Sequence, residues 1–281
     1  MAVPLVGLLN GCSGLTDSTK VEISRTLKAK VSSIESKLAQ AEALADKLAA
    51  GIVALQTQKS QDREAYTKLT LETFQSRPNF VKGMGFFQGP FGIITRKQWV
   101  SDYFFVNPGQ GDLPGRLLPA PNNNLRYVDE NEPGDFYPEQ DYYKNYVATQ
   151  KRLWAPPYEY FGVLYAGFYA PLYAPNKKWM GAVSVDLLAS SLQSEIKDPV
   201  LRGQGYFALL TKEGQIIAYP PNPSAALKSQ TYTTIPGLSG VWNQLNTIQP
   251  GQAEAICREK TCWFREQIPR TQWIVLAVVP Q

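Results

Sequence analysis

The chain has 281 residues, 44% hydrophobic, 12% aromatic and 19% charged, the balance of a folded rather than a disordered polypeptide. Its 28 basic and 24 acidic residues leave a net charge of +4 with no dense Lys/Arg run, which argues against nucleic acid as a partner. Histidine is absent, so His-based triads, His general bases and His-ligated metals are excluded, and no cofactor or metal is implied.

Residues 1–15 form an apolar leader or a membrane-proximal remnant. The stretch AVPLVGLL leads into LLNGC, and Leu at minus three with Gly at minus one before Cys12 is the pattern of a bacterial lipoprotein cleavage site. Cys12 is therefore a lipidation candidate. The apolar run is short and no Lys or Arg precedes it, so a simple leader or the tail of a membrane helix stands as the alternative. No stretch in the chain approaches the length needed to span a bilayer.

Residues 16–76 form a long helical spine. Proline is absent from it, a cap is available at Thr16, Asp17 or Ser18, and Thr19 with Glu22 has capping-box spacing. Leu27, Val31, Ile34, Leu38, Ala41, Ala45, Leu48, Ile52 and Leu55 alternate steps of four and three, broken afterwards by Lys59 and Asp62. One helix from Thr16 to Gln75 would be on the order of 80 to 90 Å long. Such a helix is a spine past more than one module, a homodimerisation seam, or both, with packing along its own domain as the bland alternative for its second half.

After Arg77-Pro78 the texture changes to short apolar and aromatic runs broken by Gly and Pro, as in antiparallel strands. FVKGMGFF and WVSDYFFV are predicted strands, and the Pro- and Gly-rich stretch from Asn107 to Pro138 is predicted to be one long loop. A helix is expected over 140–151, strands over 163–173 and 180–187, and a helix over 189–197. The pattern then restarts with GYFALLT, the turn KEG, QIIAYP, a loop with a helix, and the closing strands AEAIC, CWFREQI and QWIVLAVVP. Cys257 and Cys262 bracket the turn between two of these strands, so they are either a disulfide facing across a hairpin or two unrelated thiols. The fold class is thus α+β: a long N-terminal helix followed by two antiparallel-sheet lobes, residues 77–198 and 199–281.

Eight of the fifteen tyrosines fall between Tyr142 and Tyr173, and the run leads to one carboxylate, Asp186, on an otherwise apolar strand. Rings with polar tips supply contact area and hydrogen bonds together, as small-molecule pockets need.

The order of long helix, W-x-x-P-Y (Trp154, Pro157, Tyr158), G-x-V-x-x-D (Gly181, Val183, Asp186), G-x-I-I-A-x-P (Gly214 to Pro220) and terminal QWIVLAVVP resembles the double Cache sensor domain. That family has two PAS-like lobes and forms the extracytoplasmic part of bacterial chemoreceptors, sensor histidine kinases and cyclases. The resemblance implies a membrane-distal lobe, residues 77–198, that binds a ligand, and a membrane-proximal lobe, residues 199–281, that passes the signal on. It implies an extracytoplasmic, membrane-associated setting, with a membrane-anchored signalling module or partner. The chain is then either an excised sensor module or a free-standing version. In the amino-acid-sensing branch an R-x-W-Y motif grips the ligand carboxylate while a later Tyr and Asp take the amine. Here the segment is Gln140, Asp141, Tyr142, Tyr143, so Gln140 stands where the Arg should be, whereas Tyr158 and Asp186 match the later pair. A neutral amide cannot supply the charged fork of a guanidinium.

Physical chemistry alone gives a compatible reading. A carboxylate among apolar neighbours needs a positive or hydrogen-bonding partner, and rings attract cations over their faces. The expected ligand is an amine or amino-acid-like molecule, its ammonium on Asp186 and its walls Tyr103, Tyr142, Tyr143, Trp154 and Tyr158. The alternative has Asp186 capping the helix that opens near Leu188 to Ser190, with many of the tyrosines packing the sheet. Two other classes compete. A glycosidase with an aromatic platform would need a second acid near Asp186, with Asp141 and Glu159 as candidates. A coiled-coil assembly protein would use the heptad stripe to oligomerise.

Overall fold

A computed structural model describes residues 15–109, 113–133, 136–160, 162–252 and 254–281, so Cys12 lies outside the described residues. Two compact units are formed, one from the chain up to Glu35 with Leu192–Gln281, the other Ser36–Ser191. Helix α1 (Asp17–Thr57) contributes its first half to the former and its second half to the latter. Thr16 Oγ1 accepts from Thr19 N at 3.2 Å and so caps the start of α1. From Leu27 to Ile52 the apolar stripe is buried within the chain, while Leu55 is half-buried. The stripe predicted as a dimer seam is therefore covered by the chain's own core, and a homodimer would have to use another face.

The predicted single helix is two. Lys59 takes a left-handed backbone (φ 56°), Ser60 N bonds back to Leu55 O, and Asp62 then caps α2 (Arg63–Gln75) by accepting from Glu64 N at 3.0 Å. The polar run Gln58 to Asp62 offers no apolar face to bury, and its short Ser and Asp side chains favour turn and cap over helix.

In the Ser36–Ser191 unit, strands β1 (Val81–Gln88), β2 (Ser101–Val106), β3 (Arg116–Leu117), β4 (Leu125–Asp129), helix α3 (Asp141–Thr149), and strands β5 (Leu153–Trp154), β6 (Tyr158–Tyr160), β7 (Val163–Tyr173) and β8 (Trp179–Leu188) follow in order. They form an eight-stranded sheet ordered β3-β4-β2-β1-β8-β7-β5, with β6 also pairing β7, antiparallel throughout. The region 107–138 is thus not one loop: LRYVD alternates as a strand should and pairs with β2, but the prolines on either side hide it. Helix α2 is tied to the sheet by Arg63, whose Nη2 lies 2.8 Å from the fully buried Asp102 and whose Nη1 lies 2.8 Å from Glu130. Tyr127 and Thr67 donate to the same Asp102 carboxylate, so this buried charge is both paired and hydrogen-bonded.

Helix α4 (Ala189–Gln193) and a 3-10 turn, Ser194–Ile196, precede the strands of the other unit: β9 (Tyr206–Leu210), β10 (Ile216–Ala218), then short helices α5 (Ser224–Leu227) and α6 (Trp242–Leu245), then β11 (Ala255–Arg258), β12 (Thr261–Gln267) and β13 (Ile274–Pro280). Their sheet is ordered β10-β9-β13-β12-β11, antiparallel throughout. Cys257 and Cys262 stand directly opposite in the β11–β12 register and are joined by a disulfide.

Candidate functional site

Side chains alternate across a strand, so β7 and β8 each present two sets. Val183, Val185 and Leu187 of β8 go with Ala166 and Phe168 of β7. On the other face Ser184 and Asp186 stand opposite Tyr169 and Gly167, and Tyr165 follows on the same face. This second face lines a cavity of about 630 Å³ in the Ser36–Ser191 unit.

Asp186 is 2% exposed, and its Oδ2 accepts the Tyr103 hydroxyl proton at 2.5 Å. Its Oδ1 is buried with no hydrogen-bond partner. Both cross-strand neighbours of Asp186 are glycines, Gly83 on β1 and Gly167 on β7. A methyl group on Gly167 would stand 2.8 Å from Oδ1, and one on Gly83 would collide with the Tyr103 hydroxyl. The space around the carboxyl is therefore made by missing side chains.

Burial pushes the Asp186 carboxyl up to about 6, partly opposed by the Tyr103 hydrogen bond and by the nearby Tyr158 hydroxyl, which favour the ionised form. The Tyr103, Tyr158 and Tyr169 hydroxyls are held well above the ordinary tyrosine value, first by burial and then by the nearby Asp186 charge, so they remain protonated donors. Tyr158 stacks on Tyr165 with centroids 5.9 Å apart. The hydroxyl of Tyr146, another lining residue, is also buried without a partner. Among the described residues the cavity wall contains no Lys or Arg.

Of the predicted site residues, Tyr103, Tyr142, Tyr158 and Asp186 meet at this cavity, Tyr142 as a rim residue 42% exposed on α3. Tyr143 and Trp154 do not line it. Tyr143 points into a ring cluster with Phe87, Tyr137, Tyr146 and Tyr169 and supports α3 from beneath. Trp154 pairs with Phe168, which places it on the opposite face of the sheet, where its Nε1 donates to Glu42 of α1 at 2.8 Å. Gln140, standing where the resemblance implies an Arg, does line the cavity at the start of α3. Tyr165, Tyr169 and Tyr146 are cavity residues absent from the sequence-based set. Two-residue alternation from Asp186 through the β7 pairing would have identified the first two.

The helix-cap alternative for Asp186 is not taken up, because β8 continues to Leu188 and the carboxyl engages Tyr103 instead. Nor do the candidate second acids approach it: the Asp141 side chain is 95% exposed, and Glu159 is exposed and accepts from Gly162 N. A lining carboxylate, Asp129, sits on β4, three strands from β8 and so roughly 14 Å away across the sheet.

No protein-family model matches the chain, and no curated protein matches its sequence. Solved structures do match. The extracellular domain of mmHK1S-Z3, assigned as a histidine kinase, aligns with a TM-score of 0.71 at 14% identity, covering 95% of this chain and 96% of that one. Methyl-accepting chemotaxis protein X aligns with a TM-score of 0.64 at 18% identity, covering 94% and 97%. The ligand-binding domain of the Pseudomonas aeruginosa PAO1 amino acid chemoreceptor PctC, solved with GABA, aligns with a TM-score of 0.61 at 15% identity, covering 93% and 100%. Identities this low speak to architecture, and the coverage is nearly complete on both sides: the fold of this chain is that of the double Cache sensor domains of histidine kinases and chemoreceptors.

Proposed function

We propose that the protein is an extracytoplasmic sensor domain whose Ser36–Ser191 unit, as the membrane-distal lobe, binds a small molecule by its cationic end at Asp186. The observation that carries this reading is the buried Asp186 Oδ1 without a partner, in a ring-lined cavity whose described wall has no cation. An ammonium group satisfies that oxygen, restores the full charge of the carboxylate and lies against tyrosine faces. Support comes from PctC, whose bound GABA carries an ammonium group. A ligand carboxylate finds no guanidinium here, since Gln140 offers only a neutral amide, which favours amines or molecules whose acid end lies away from the anchor. The signal would pass to a membrane-anchored partner module through α1, the helix common to both units.

Calorimetry with a panel of primary amines, diamines, α-amino acids and GABA, set beside the matching carboxylic acids that lack nitrogen, tests the reading. Binding by at least one amine and by none of the nitrogen-free acids is expected, with Asp186→Asn losing tenfold or more in affinity. An Asp186→Asn variant that binds the same amine as tightly as the parent would overturn it.

A further inference from the structure

The C-terminal unit holds a second cavity, about 570 Å³, beside the turn of the β12–β13 hairpin. Lys212, Asn246, Arg265, Gln267 and Gln272 supply its polar wall, which contains no carboxylate among the described residues. Its charge character is thus the reverse of the Asp186 cavity.

Arg265 projects from β12 and is 8% exposed. Its hydrogen bonds leave from Nη1, which donates to the carbonyls of Leu245 (3.4 Å), Asn246 (3.4 Å) and Ile248 (3.1 Å). That contact closes the end of α6, where helix carbonyls lack intrahelical partners. It does not use the whole guanidinium, because Nε is buried with no partner. The neighbouring Glu266 carboxylate is engaged elsewhere, accepting from Gly251 N at 3.1 and 3.0 Å, one from each oxygen, and from Gln267 N at 3.1 Å. Burial holds the Arg265 guanidinium below its ordinary pKa, with Glu266 offsetting this only in part. Lys212, exposed in the β9–β10 turn, donates to the neutral Gln272 Oε1 at 2.9 Å. Two cations therefore share one hollow, one of them nine-tenths buried with an idle donor, and their wall has no acid to answer them.

We propose that this cavity is a second ligand site, taking a small anionic molecule by its carboxylate or phosphate group with Arg265 as the buried anchor and Lys212 as the exposed second cation. A planar guanidinium edge suits either oxyanion. The site belongs to the C-terminal unit and is independent of the Asp186 cavity.

Inorganic phosphate, acetate and succinate, titrated separately into the full chain by calorimetry, test the assignment and separate the two oxyanion classes. Binding of at least one is expected. Lys212→Glu, on an exposed turn where folding is undisturbed, should weaken it at least about tenfold, and Asp186→Asn should leave it unchanged. Arg265→Lys should abolish it in protein shown by circular dichroism to be folded; if that variant does not fold, Lys212→Glu decides. No binding of any of the three up to about 10 mM, or binding untouched by Lys212→Glu, would overturn the proposal.

Discussion

Tyr103 on β2 reaches over Gly83 of β1 to place its hydroxyl 2.5 Å from Asp186 Oδ2 on β8. A phenol held protonated beside a buried carboxyl stabilises the charged form of that carboxyl. Tyr103→Phe should therefore raise the Asp186 pKa further above about 6 and weaken amine binding by roughly tenfold, with little loss of fold stability. Carboxyl titration by NMR alongside calorimetry measures both; an unmoved Asp186 pKa would show that the hydroxyl contributes nothing.

The two glycines predict a steric phenotype. Gly167→Ala would put a methyl 2.8 Å from Oδ1, the buried oxygen that has no hydrogen-bond partner and is proposed to meet the ligand. Amine binding should fall by at least tenfold while the protein keeps its fold at a cost of about 1–3 kcal/mol, measured by urea denaturation. Equal binding in parent and variant would mean that the ligand does not approach Oδ1.

The raised pKa of Asp186 sets two opposite pH trends. Its native value of about 6 lies above that of an unfolded aspartate, so the empty protein binds the extra proton more tightly when folded. This contribution to stability is fully present below about pH 4 and is lost as pH rises through about 6, in all on the order of 3 kcal/mol. Affinity for an amine should do the reverse, rising as pH passes about 6 and levelling above it, because the ligand needs the carboxylate ionised. Asp186→Asn should flatten both profiles, and retention of the wild-type affinity profile in that variant would assign the titration to another group.

The fate of the heptad stripe is also testable. Leu38 is fully buried, so Leu38→Lys would place an unpaired charge in the chain's own core. The expected result is destabilisation by more than about 4 kcal/mol or failure to fold, measured by thermal and urea unfolding. A folded Leu38→Lys protein that differed from the parent only by losing an oligomer in sedimentation would restore the seam reading.

The sequence located β7 and β8 well, because an eleven-residue and a ten-residue apolar-aromatic run flank one turn and leave little freedom in where the strands begin and end. It located Asp186 because a carboxylate in such a run is conspicuous. It could not say which rings share the acid's face, since that depends on cross-strand register: Tyr169 and Trp154 look alike in a list of aromatics but fall on opposite faces once Phe168 is seen to pair with Trp154. The break after α1 was marked by Lys59 and Asp62 at the seam, yet periodicity alone does not distinguish an interrupted stripe from a terminated helix. The glycine neighbours of Asp186 were invisible for the same reason as the rings, because Gly83 lies more than a hundred residues away in the chain and meets the acid only through the β1–β8 pairing.

The acid and its two glycines lie on interior strands, with β1, β8 and β7 adjacent in the sheet, whereas Tyr142, Asn145 and Thr149 project from a nine-residue helix whose start has no side-chain cap. The acid wall of the cavity and its rim thus come from different elements, sheet and helix, and can be varied separately. Under the proposed function, substitutions on α3 would retune which amine is admitted while the demand for a positive charge at Asp186 persists, so mutating the rim alone would be the way to redirect the site.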